Sequence, residues 1–78
     1  MSRYYFNVRS RDEFLEDEEG ESFPSLDEAR AHAIRAAREI MSARVATGRQ
    51  PNHRTFEITD EQGRLVLMLP FLDALGPD

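Results

Sequence analysis

One stretch limits what this chain can fold into more than any other. From Leu26 onward, apolar residues recur at helical spacing: Leu26, Ala29, Ala33, Ile34, Ala37, Ile40, Met41 and Val45. At about 100° per residue they share one broad face, and Arg35, Arg38, Glu39 and Ser42 point away from it. Ser25-Leu26-Asp27-Glu28 opens the helix as a capping box. The Ser25 hydroxyl accepts from the Glu28 N–H, and Glu28 reaches back to the N–H of Ser25. Asp27 and Glu28 also put negative charge at the positive end of the helix dipole. Thr47-Gly48 closes the helix and Pro51 prevents its resumption. Ala29, Ala33, Ala36 and Ala37 make the central face small-sided, which suits close packing on a sheet.

The flanks supply that sheet. From Arg3 to Arg9, Tyr4, Phe6 and Val8 alternate with Tyr5, Asn7 and Arg9, the period of a half-buried strand. Phe14-Leu15-Glu16 can pair back as a second strand after the polar turn Ser10–Glu13. Gly20 suits a sharp bend, since it takes positive φ without steric cost. Glu21-Ser22-Phe23 is short for a strand and reads as a lead into the helix. After the helix, Thr55 to Thr59 and Arg64 to Leu69 flank Asp60-Glu61-Gln62-Gly63 as a hairpin. A four-residue loop pairs Ile58 with Leu65 and Phe56 with Leu67, all on one face. A three-residue loop with a Gly bulge pairs Ile58 with Val66 and Phe56 with Met68. The first buries more apolar area on one face and is the expected register. Pro70 belongs at a strand end or edge. Phe71-Leu72-Asp73-Ala74-Leu75 is an apolar tail.

The resulting fold class is α+β, in the order β-β-α-β-β. A mostly antiparallel sheet of about four strands carries one long helix on one face. The chain has 78 residues, so one domain spanning 1–78 is expected. A domain this small buries only about 60% of its unfolded surface. It has no cysteine, hence no disulfide, thiolate metal site or thiol nucleophile. Small secreted domains usually need such staples, so a reducing, cytoplasmic home is expected. The N-terminus lacks the apolar core of a signal peptide, and no apolar run reaches the roughly 18 residues of a membrane span.

The net charge of −5 conceals segregation. Residues 12–28 carry nine acids and no base, whereas residues 29–54 carry six Arg against Glu39. The acidic run lacks the alternating ligands of a calcium loop and reads as a solvated surface, so no metal is expected. His32 and His53 have no zinc-type spacing and are expected at the surface. The serines lie outside any nucleophile elbow, and no phosphate-binding glycine loop is present. A thin domain also has little room for a pocket of roughly 300 Å³. The expectation is a protein that is not an enzyme and takes no cofactor.

Two binding readings follow. A single helix covers only one sheet face, so Tyr5, Val66 and Met68 are expected to form an exposed apolar patch. Such a patch marks a protein interface, with a second copy or another protein. The alternative is a nucleic-acid-binding regulator using a basic stripe of Arg35, Arg38, Arg44, Arg49, His53 and Arg54.

Five short motifs stand in order along the chain: Tyr4-Tyr5-Phe6; Asp17-Glu18-Glu19-Gly20; Ser25-Leu26 with Ala29-Arg30; Asp60-Glu61-x-Gly63-Arg64; and Pro70-Phe71. In that order they resemble a family of short bacterial proteins, common in alphaproteobacteria, classed as a domain of unknown function. The resemblance covers nearly the whole chain and implies a small cytoplasmic protein; it carries over no catalytic residue.

Overall fold

The computed structural model describes residues 1–46 and 53–75. It comprises β1 (Ser2–Arg9), β2 (Phe14–Leu15), β3 (Glu21–Phe23), α1 (Leu26–Ala46), β4 (Thr55–Thr59), β5 (Leu65–Pro70) and a C-terminal 3-10 helix (Phe71–Leu75). The α+β class holds, with five strands rather than four. The extra strand is Glu21–Phe23, which the sequence suggested was only a lead into the helix. It pairs antiparallel with the first half of β1, Ser2 opposite Phe23 and Tyr4 opposite Glu21. β2 pairs with the other end of β1, Val8 opposite Leu15 and Arg9 opposite Phe14. An eight-residue strand is about 26 Å long, enough to host two short partners end to end. The main path of the sheet runs β2-β1-β4-β5, every pairing antiparallel.

The second hairpin departs from the expected register. Phe56 stands opposite Leu69 and Ile58 opposite Leu67, while Thr59 stands opposite Leu65. Val66 is therefore an extra residue, a bulge between Ile58 and Thr59. Two demands conflict here, and the bulge reconciles them. At the tip, Gly63 takes φ +79°, its N–H donates to the Asp60 carbonyl (3.0 Å), and the Asp60 N–H donates to the Arg64 carbonyl (2.9 Å). That is the three-residue loop with glycine in the left-handed region. Continued without a bulge, it would turn Val66 and Met68 toward the core. The bulge restores Leu67 and Leu69 to the buried face instead.

Asp60 organises the tip. Its carboxylate accepts from the N–H of Arg64 (2.9 Å) and of Gln62 (2.9 Å), and pairs with Arg64 Nε (2.9 Å). The Arg64 N–H above all, with the Gln62 N–H and the Arg64 guanidinium, holds the carboxyl below its usual range. A lowered carboxyl favours the folded state above its unfolded value; that support fades as pH falls through the folded one.

The core lies between the sheet and α1. Ala29, Ala33, Ala37 and Met41 of the helix are buried against Tyr4, Phe56, Ile58 and Leu69. Ile34, Ala36 and Ile40 pack at its margin. The alanine face lets the helix approach closely, so aromatic rings fill the remaining space. Phe23, His32, Phe6, Phe56 and Phe71 follow one another with centroids 4.7–6.1 Å apart. The apolar tail is a 3-10 helix packed on α1, with Phe71 and Ala74 buried.

The helix start shows the Ser25 half of the capping box, without the expected return bond from the Glu28 side chain to the Ser25 N–H: the Glu28 N–H donates to Ser25 Oγ (3.2 Å) and the Ala29 N–H to the Ser25 carbonyl (3.2 Å). Ser25→Ala is expected to cost about 1 kcal/mol in urea unfolding, and an unchanged midpoint would show that the cap is idle. The stop at Thr47-Gly48 falls outside the described residues.

Candidate functional site

With α1 and the 3-10 helix on one side, the other sheet face carries Tyr5, Asn7 and Arg9 of β1, Thr55, Glu57 and Thr59 of β4, and Leu65 and Met68 of β5. The middle of this face is polar and internally paired. Arg9 forms an ion pair with Glu57 and lies over the Phe14 ring, 4.5 Å from its centroid. Asn7 is only 6% exposed, although it sits on the side away from the helix. Its Nδ2 donates to the Glu57 carbonyl (3.1 Å), and its Oδ1 accepts from the Asp17 N–H (2.9 Å).

Asp17 completes the network. It lies where β1 is bare between β2 and β3. Its Oδ2 accepts from the Phe6 N–H (3.0 Å), and its Oδ1 from the N–H groups of Gly20 (3.1 Å) and Glu19 (3.3 Å). Gly20 closes the turn at φ +69°. A Cβ there would stand 2.8 Å from the Tyr5 ring and 2.9 Å from the Tyr4 carbonyl oxygen. The Asp17-to-Gly20 motif is therefore a strand-bridging turn, held by one carboxylate and shaped by one glycine.

The expected apolar patch is not contiguous. Met68 is on the open face and 55% exposed. Tyr5 is half-buried beside Gly20, with Glu57 and Thr59 of β4 between it and β5. Val66, as the bulge residue, packs against the core cluster. Leu65, which the four-residue loop would have buried, is instead 52% exposed opposite Thr59. Leu65 and Met68 thus expose apolar side chains on β5, the border strand of the sheet. Of the eight large hydrophobic residues exposed among the described ones, Leu65, Met68, Leu72 and Leu75 lie within residues 65–75. Sequence alternation could not find Leu65, because it is the bulge that changes its face.

Among the described residues, those of the expected basic stripe do not line up on one face. Arg35 and Arg44 are nine residues apart, about two and a half turns, so they leave the helix on opposite sides. Arg38 is half-buried, and its Nε donates to the Ala74 carbonyl (2.6 Å), tying the 3-10 helix to α1. Arg54 is half-buried and its carbonyl accepts from the Phe71 N–H (2.8 Å). His53 is exposed, and Arg49 lies outside the described residues. His32 is not the plain surface residue its position suggested. Its ring lies 5.3 Å from that of Phe6 and 5.1 Å from that of Phe23, with Nε2 3.8 Å from Glu21 Oε1.

A surface cleft of about 340 Å³ opens beside His32, lined by Phe6, Asp17, Glu21, Ala36 and Phe56 among others. The domain therefore has more room than its thinness suggested. Asp17 is committed to backbone amides and the His32 ring to aromatic packing. Among the described residues, no three of His, Cys, Asp and Glu converge as metal ligands, and no helix is long and apolar enough to cross a membrane.

These features define a small sheet-and-helix domain whose sequence motifs serve mainly its own turns and caps. The chain belongs to the family described as Domain of unknown function (DUF6894), whose model matches residues 3–72. No curated protein and no solved structure matches the chain.

Proposed function

We propose that this protein is a non-catalytic interaction module that self-associates through the β5 border of its sheet. The observation that carries this reading is the exposure of Leu65 and Met68 on β5, an uncharged strand that among the described residues pairs only with β4. Exposed apolar side chains beside an open strand edge mark contact surface more often than scattered single residues do. The polar side chains that catalysis would need are otherwise engaged: Asp17 with three amides, His32 with two aromatic rings, Asp60 with its own turn. The nucleic-acid reading gains nothing from the helix, which sends Arg35 and Arg44 to opposite sides. A cysteine-free chain of this size supports a reducing, cytoplasmic setting.

Sedimentation equilibrium tests the reading. The 9.0 kDa chain is expected to approach twice that mass at tens of micromolar. The double variant Leu65→Glu with Met68→Glu should return to the single-chain mass while keeping the parent's circular dichroism. A parent that stays at the single-chain mass throughout sinks the proposal.

A further inference from the structure

We infer that two copies meet edge to edge along β5, so that their sheets join into one antiparallel sheet about a two-fold axis. This rests on the self-association reading above and specifies its geometry. Among the described residues, β5 is paired only with β4, which leaves its outer edge open. Proteins blunt such edges with charged side chains, proline and bulges, because a bare edge is a template for another strand. β5 reads Leu-Val-Leu-Met-Leu-Pro, without one charge, in a chain that is 32% charged. Its protection consists of the Val66 bulge and of Pro70 at the end.

The direction of the main chain singles out one residue. The Phe71 N–H donates to the Arg54 carbonyl, on the β4 side. Successive residues of a strand turn their amides to opposite edges, so Leu69 faces β4 and Met68 faces outward. At Met68 an outward amide and carbonyl therefore coincide with a side chain that is 55% exposed. A two-fold pairing centred there lets each Met68 N–H donate to the Met68 carbonyl of the other copy.

A second copy is the occupant that the strand's chemistry fits. A two-fold contact needs only one surface, used twice. An uncharged strand opposes its own copy without like charges facing each other, a cost that charged edges incur. Antiparallel neighbours are related by an axis normal to the sheet. Both helices then lie on one side of the joined sheet, and the exposed Leu65 and Met68 of both copies lie on the other.

Two substitutions at one position test this. Met68→Pro removes the outward N–H and leaves the β4 pairing intact, since proline is tolerated where the amide faces away from the sheet. It is expected to sediment at the single-chain mass with the parent's circular dichroism. Met68→Cys introduces the only thiol of the chain. Paired residues of two antiparallel strands lie about 5.5 Å apart at Cα, within disulfide reach. Mild oxidation should therefore cross-link Met68→Cys at least about ten-fold more than the control Asp27→Cys, which is exposed at the helix start. If Met68→Pro fails to fold, the cross-linking yield alone decides. A parent dimer in which Met68→Cys cross-links no better than the control overturns the edge contact and leaves self-association standing. A parent that never dimerises overturns both.

Discussion

Phe71→Ala is expected to cost about 3–5 kcal/mol, a large part of the 5–15 kcal/mol that holds a typical domain together. The side chain is wholly buried, and its ring lies 4.7 Å from that of Phe56, itself buried. Its N–H also donates to the Arg54 carbonyl, which anchors the start of the 3-10 helix beside β4. Removing the ring leaves a cavity in the core between the 3-10 helix and α1, where small residues such as Ala37 and Ala74 offer little to collapse into it. Leu72, one residue on and 40% exposed, is the control: its change to alanine should fall within about 0.5 kcal/mol of the parent. Urea midpoints measure both. Equal midpoints for the two variants would mean that the C-terminal turn is not part of the core.

Asp17→Ala should come next, at about 2–3 kcal/mol. The carboxylate accepts from the amides of Phe6, Glu19 and Gly20, and hydrogen bonds to a charged acceptor contribute roughly 1.5–3 kcal/mol each. Water replaces part of that at the exposed Glu19 amide, so the sum is not additive. The Phe6 amide is the costly loss, because it points to the edge of β1 away from β4, where neither β2 nor β3 reaches it. Glu18→Ala, in the same acidic run, should change little. If the two variants melt together, the turn is held by Gly20 and the flanking strands, not by Asp17.

The two predictions fall on opposite sides of what the sequence could disclose. Helical periodicity, the Ser25 cap and the alternation in β1 are local signals, and the structure follows them closely. The face shared by Phe56, Ile58, Leu67 and Leu69 was legible as a hydrophobic pattern, but its register was not. Turn chemistry at Gly63 and burial of the leucines ask for different pairings, and only a bulge satisfies both. The same bulge moved Leu65 and Val66 between faces, so the candidate surface came out at the border of the sheet instead of across it. The acidic run was legible as charge but not as architecture. Asp17 differs from Glu16, Glu18 and Glu19 only in where the chain folds back on β1, and no spacing rule marks that. Arg38 was placed on the solvent face by helical angle alone; the 3-10 helix that engages it comes from the far end of the chain.

The way β1 is shared has a consequence for the order in which this molecule can be assembled. One edge of β1 is served by β2 and β3, both complete by residue 23. The other waits for Thr55–Thr59, about fifty residues away along the chain. Synthesis proceeds from the N-terminus, so a three-stranded unit and then a helix emerge before the strand that brings the buried Phe56 and Ile58. Until β4 and β5 arrive, the apolar sides of β1 and α1 have only each other and Phe23 of β3, and closing the long connection carries an entropic cost that rises slowly with its length. Phe71 and Ala74, which follow β5 in the chain, are among the most deeply buried residues, so the core is completed only after all five strands have been made.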